Sequence, residues 1–221
     1  MKHWFAVVAL AAASVVHASP SIEDFVKAAE FNDPRVIEKQ LQQGVDPNLT
    51  DSRGRSALFT AVREGSDRAL GALLASDKVN VDAANADGET PLMLAAIRGS
   101  LPMAQALVKR GASVNRAGWT PLHYACSGPD NGVAAYLLAQ GADINARSEN
   151  GTTPLMMAAR YGNADLVPLL LKAGAEPRAA NEQELTAADF AQRSGRDGVA
   201  RQLRALMQDR QRASGAAASG R

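Results

Sequence analysis

The sequence predicts an all-α fold, a solenoid of about six stacked helix-turn-helix units. Three observations carry that expectation. First, a phrase recurs as Thr90-Pro91-Leu92-Met93, Thr120-Pro121-Leu122-His123 and Thr153-Pro154-Leu155-Met156, with echoes at Ser56-Ala57-Leu58-Phe59 and Thr186-Ala187-Ala188-Asp189. Successive starts lie 34, 30, 33 and 33 residues apart, a period that marks a repeat array in which each unit buries its apolar face against its neighbours. Second, the phrase is a helix opening: the threonine hydroxyl caps, proline suits the first helical position, and leucine points inward. Third, apolar residues return at helical spacing after each phrase: Leu70, Leu73 and Leu74; Met103, Leu107 and Val108; Val133, Leu137 and Leu138; Leu166, Leu170 and Leu171.

The units fall in order at about 22–50, 51–82, 83–115, 116–145, 146–178 and 179–208. In the first, Phe25 to Phe31 reads as one helix and Val36 to Gln43 as the next, before Gly44-Val45-Asp46-Pro47-Asn48 leads out. In the central units, small residues such as Ala95-Ala96 and Ala158-Ala159 let two helices approach closely. Gly65, Gly99, Gly162 and Gly195 are expected to stop each first helix in a left-handed conformation. Gly111, Gly141 and Gly174 end the second helices, and Gly111 to Asn115 and Gly141 to Asn145 lead into turns. The last unit carries many arginines on its second helix. Residues 209–221 hold no leucine, isoleucine, valine or aromatic residue and are expected to form a flexible tail.

The Thr-Pro-Leu phrase and its interval resemble the ankyrin repeat family over roughly residues 22–208. The resemblance implies paired antiparallel helices, hairpin fingers between units, and a protein partner held across the concave face and fingers. Four departures from the family pattern stand out. The finger between Asn115 and Gly118 is about three residues short, which predicts a notch midway along the stack. Pro129 replaces a glycine, Pro168 falls inside a second helix and threatens a kink, and Met93 and Met156 occupy the family's histidine position.

Residues 1–18 read as a secretory signal peptide: Lys2 at the start, an apolar run from Trp4 to Val16, and cleavage after Val16-His17-Ala18. The run is too short for a typical membrane span. Its compact, alanine-rich form points to a bacterial source and a periplasmic destination. Without it the chain keeps one histidine, His123, one tryptophan, Trp119, and one cysteine, Cys126. The 23 remaining Lys and Arg then balance 23 Asp and Glu. A neutral chain is not built for general affinity to nucleic acid. No stable membrane insertion is expected after cleavage, and a monomer is expected.

Catalytic chemistry finds little support. One histidine and one cysteine cannot assemble a structural zinc site, neither a phosphate loop nor a nucleophile elbow occurs, and no cofactor is expected. His123 and Cys126 stand three apart on one helix face, so a histidine-activated thiol enzyme is one alternative reading. Against it, the family register makes His123 structural, tying its turn to the neighbouring backbone, and puts Cys126 in the buried small-residue position of Ala96 and Ala159. A third reading is an envelope scaffold held at a membrane by its basic C-terminus, where residues 193–221 carry seven arginines.

By register, the concave side receives Arg53, Arg55, Arg63 and Glu64, then Asp87, Glu89, Ile97 and Arg98, then Trp119, then Asn150, Thr152, Arg160 and Tyr161. The resemblance implies that these positions contact the partner. Aromatics flanked by arginines are the composition of a binding hot spot. The same pairing also packs repeats together, so Trp119 is open to either role.

Overall fold

The computed structural model describes residues 21–219 other than residue 164. Twelve helices are present among the described residues, in six pairs: α1 (Ile22–Glu30) with α2 (Pro34–Gln42), α3 (Ala57–Glu64) with α4 (Asp67–Leu74), α5 (Pro91–Ile97) with α6 (Leu101–Lys109), α7 (Pro121–Ala125) with α8 (Asn131–Ala139), α9 (Pro154–Tyr161) with α10 (Leu166–Lys172), and α11 (Ala187–Arg193) with α12 (Asp197–Ser219). The first helices stack on one another in chain order from α1 to α11. The second helices form a row outside them, with α2, α4, α6 and α8 in sequential contact. Leu58, Leu92, Leu122 and Leu155, the leucines of the phrase, are buried in one continuous core with Leu73, Leu107, Leu137 and Leu170.

The helix openings follow from local chemistry. Ser56 Oγ accepts the Phe59 N–H at 3.1 Å, and Thr90 and Thr153 accept those of Met93 and Met156 at 3.3 Å. In return the sulfurs of Met93 and Met156 accept the threonine N–H at 3.4 Å. Thioethers thus close the reciprocal capping box that a glutamate or histidine otherwise closes.

Three expectations need correction. Gly162 is not left-handed: its φ is −63° and ψ 161°, whereas Gly65, Gly99 and Gly195 have φ of 76°, 69° and 74°. Space is what Gly162 provides, since a Cβ would lie 2.8 Å from the Ala158 carbonyl oxygen and 2.9 Å from a Leu166 methyl. Arg196 adds to this end of α9: its guanidinium donates to the Ala158 and Ala159 oxygens at 2.8 and 2.9 Å, the first of which also accepts the Gly162 N–H. Pro168 does not break a helix interior, because α10 begins at Leu166 and places the proline in the first turn, where its missing N–H has no intrahelical acceptor to lose. Pro129 acts by shortening α7 to five residues: the residue before a proline disfavours helical backbone, and the ring packs against Gly99 of the preceding unit. Finally, α12 does not end near residue 208 but continues to Ser219. The alanine, arginine and glutamine that deprive this segment of a core are also good helix formers.

The fingers close as tight turns. Asp51 N–H donates to the Arg55 carbonyl, Asn85 to Glu89, Ser148 to Thr152 and Asn181 to Leu185, at 2.9 to 3.1 Å. Single bridges at Thr50–Ser56 and Ala180–Thr186 are the strand-like pairings present among the described residues. Residues Asn115–Thr120 make no such turn closure among the described residues. Arg116 instead reaches back to the Gly88 carbonyl at 2.7 Å, and Glu149 of the next finger leans over Gly118.

Successive units are also stapled by side chains. Asn48 donates to the Lys78 carbonyl and accepts the Asn80 N–H; Asp82 accepts from the Ser113 backbone and hydroxyl; Asn115 holds Gly141 and Asp143; Asn145 holds Gly174 and Glu176. Each staple joins a loop to the corresponding loop of the next unit.

Candidate functional site: an aromatic groove on the inner helices

An apolar groove of about 410 Å³ crosses α5, α7 and α9. It is lined by Ile97, Trp119, His123, Tyr124, Ser127, Met157 and Tyr161. Three residues expected on the concave face, Ile97, Trp119 and Tyr161, meet here from three different units. Trp119 precedes the Thr120 cap. Its ring stands edge-on to His123, 5.2 Å between centroids, and to Tyr124 at 6.5 Å. Trp119 thus packs its own unit and also lines the groove. Tyr161 is 53% exposed, and the Arg160 guanidinium lies 4.9 Å over its ring.

The groove floor is fixed by His123, which is fully buried. Its Nδ1 accepts the Thr120 N–H at 3.1 Å, so the ring proton sits on Nε2 and is donated to the Thr152 carbonyl of the next unit at 2.9 Å. Burial holds the imidazole below its ordinary pKa, against the opposing pull of the Thr152 carbonyl and Glu149. Tyr124 donates to Glu89 at 3.2 Å, and its phenol is pushed up to about 12 by burial and by that carboxylate. Cys126 is buried with no exposure, and burial raises its thiol pKa. With both nitrogens of His123 already bonded, the pair supplies no activated nucleophile; the two side chains build the repeat.

The other expected contact residues divide. Arg55, Arg63 and Asp87 line a second, more polar groove of about 290 Å³ beside the first finger. Arg55 is committed to its own chain, paired with Asp51 at 2.7 Å and Glu30 at 3.1 Å. Burial pushes the Asp51 carboxyl up, yet hydrogen bonds from the Arg55 and Arg53 backbone and the Arg55 side chain outweigh it and leave the group below the usual range. Arg63 pairs with exposed Glu64 at 2.8 Å, Glu89 takes Tyr124 and Asn85, and Arg53 and Arg98 are exposed. Thr152 is a correction: its side chain is 2% exposed, and its backbone N–H and carbonyl are tied to Ser148 and His123. Asn150 is exposed, but its side chain accepts from Ser148 and Thr152, so it shapes its own finger. Arg160 lies outside the main groove, in a small hollow with Arg193 and Gln183.

Sequence reading missed Tyr124 and Met157 as groove residues. Their signal was available: each follows the phrase by one position, where α5 carries Leu94 and α11 Phe190. Among the described residues no group of three or more His, Cys, Asp or Glu is placed to hold a metal ion, and no helix is long and apolar enough to cross a membrane.

Two family descriptions match. Ankyrin repeats in three copies match residues 25–117 and 69–148, and ankyrin repeats in many copies match residues 139–191. Among similar proteins, the nuclear factor NF-kappa-B p105 subunit of Gallus gallus is 34% identical over 157 residues, 68% of this chain and 16% of that protein. The ankyrin repeat and SAM domain-containing protein 6 of Rattus norvegicus is 36% identical over 132 residues, 57% of this chain and 15% of that protein. Protein phosphatase 1 regulatory subunit 27 of Mus musculus is 35% identical over 96 residues, 42% of this chain and 62% of that protein. The chain spans about a sixth of the length of the first two. With family matches running from residue 25 to residue 191, this protein belongs to the ankyrin repeat family.

Proposed function

We propose that this chain is a non-catalytic binding module that holds a protein partner against its inner helices and fingers, in the periplasm of a bacterium after export through residues 1–18. One observation carries the binding role. Four aromatic or long apolar side chains from three consecutive units, Ile97, Trp119, Met157 and Tyr161, converge on one groove. Large aromatics beside arginine anchor protein interfaces. One relative, of which the match covers 62%, bears the name of a regulatory subunit, which supports a role in supporting or restraining an envelope enzyme; neutralising a toxic effector is the other role that fits the setting. The export reading rests on the composition of residues 1–18, which lie outside the described residues.

Affinity capture from periplasmic extract tests the module. The parent chain is expected to retain a partner that Trp119→Ala and Arg98→Ala lose in large part; undiminished capture by both variants would refute the site. N-terminal sequencing of the expressed protein is expected to begin at Ser19, and a cytoplasmic product starting at Met1 would remove the periplasmic setting.

A further inference from the structure

The chemistry of the groove narrows what it can hold. Most of the polar atoms on its floor are already bonded within the chain: Ser127 Oγ donates to the His123 carbonyl at 3.1 Å, Tyr124 donates to Glu89, and both His123 nitrogens are taken. The floor therefore offers mainly apolar surface, and the Trp119 indole N–H and the Tyr161 hydroxyl add polar points at its walls. Charge enters at the two edges. On the finger edge stands Glu89, engaged by Tyr124 and Asn85. Beyond the opposite edge, where the inner helices end, stand Arg98 after Ile97, its guanidinium leaning back toward Gly65 of the preceding unit, and Arg160 over Tyr161 at the mouth of the neighbouring hollow. Neither arginine makes an ion pair among the described residues. The two belong to α5 and α9, separated by α7, so packed-helix spacing puts them about 20 Å apart. That span exceeds a small metabolite and corresponds to roughly six residues of extended chain.

We propose that the groove seats one large apolar side chain, leucine, methionine or phenylalanine, from an acidic protein segment whose carboxylates lie toward Arg98 and Arg160. This rests on the binding-module reading and adds to it the chemical class of the partner. The apolar side chain displaces water from the Trp119, Met157 and Tyr161 surfaces. The carboxylates meet guanidinium groups that hold no carboxylate among the described residues, and fix the direction of the segment.

A display library of random 12-residue peptides, panned on the chain from Ser19 onward, tests this. Enriched peptides are expected to share one large apolar residue with aspartate or glutamate within about six positions. A synthetic peptide of that consensus is expected to change the emission of Trp119, the single tryptophan after residue 18. Its affinity is expected to fall at least about tenfold in Tyr161→Ala and in the double variant Arg98→Glu, Arg160→Glu, and to weaken as salt rises; thermal midpoints of the variants check that folding is intact. A basic or wholly polar consensus, salt-independent binding, or affinity unmoved by these variants overturns the proposal. So does a small apolar probe such as decanoate binding where no peptide does, or self-association abolished by Tyr161→Ala, which would assign the groove to a second copy. If the captured periplasmic partner loses affinity with Asp87→Lys and Arg63→Ala but not with the groove variants, the proposal fails while the binding-module reading stands. Indifference to both sets sinks both.

Discussion

His123 shows how one side chain joins two units. Met93 and Met156 close the same capping box but cannot donate onward, because a thioether has no proton. Only the imidazole sends a hydrogen bond into the following finger, and only it titrates near neutrality. Burial lowers its folded pKa from the ordinary imidazole value of 6.5, so the unfolded chain takes up a proton first as the medium is acidified. The stability due to neutral His123 is thus complete above about pH 6.5 and is lost as pH falls below that value toward the folded pKa. Thermal midpoints are expected to drop between pH 7.5 and pH 5 in the parent and to change less in His123→Met, which copies the chain's own solution at positions 93 and 156. Equal slopes for the two proteins would contradict this account. The carboxyls of Asp51 and Asp189 are held low by their hydrogen bonds and titrate in more acid solution.

Among the elements, the staples and the misplaced prolines make opposite predictions from sequence and structure. Asn115 lies on an exposed loop, where the sequence shows only a turn, yet it holds the Gly141 carbonyl and the Asp143 N–H at 2.8 Å each. Asn115→Ala is expected to cost about 1–2 kcal/mol in urea unfolding, more than a surface substitution ordinarily does. Pro168 reads as a helix breaker but lies in the first turn of α10; Pro168→Ala is expected to shift stability by no more than about 0.5 kcal/mol. Gly162→Ala, a change that leaves φ unstrained, is expected to cost about 1–3 kcal/mol because the new methyl meets Ala158 and Leu166. The physical reason for these contrasts is range. Caps, stops and apolar spacing act within one helix, so α3, α5 and α9 could be read from adjacent residues. A staple acts on a residue about 30 positions away, and its meaning exists only once the units have stacked. Thr152 was misplaced for the same cause: its register matches Trp119, but its finger has the three residues needed to fold back and bury it, and that of Trp119 has not.

For the molecule as a whole, the fold was legible and the groove only in part. Repetition multiplies a weak local signal, so the family pattern over residues 22–208 anticipated the helix pairs. Ile97, Trp119 and Tyr161 were named by the same register, while Tyr124 and Met157 were not, because a residue beside the capping phrase looks like core until the neighbouring helices leave it half open. The C-terminal helix bears on the scaffold alternative. Of the arginines in the basic C-terminal region, Arg196, just before α12, is spent on the α9 carbonyls and Arg204, within it, on Asp189 and Gln192, which leaves less charge for a membrane surface than the sequence count implied. Deleting residues 209–221 is expected to leave partner capture intact, as pull-down with the shortened chain would show; loss of membrane association with retained capture would assign this segment a separate role.

The staples from Asn48 to Asn145 also set how the molecule answers a pulling force. Each joins one unit to the next and none reaches further, so tension applied at the two ends concentrates on one junction at a time. Stretched in an optical trap, the array is expected to lengthen in steps rather than in a single event. Each step frees one unit of about 33 residues, or roughly 110 Å of chain. Among the four inner units, the one with the shortened finger yields the smallest step, so the missing turn becomes visible as a length.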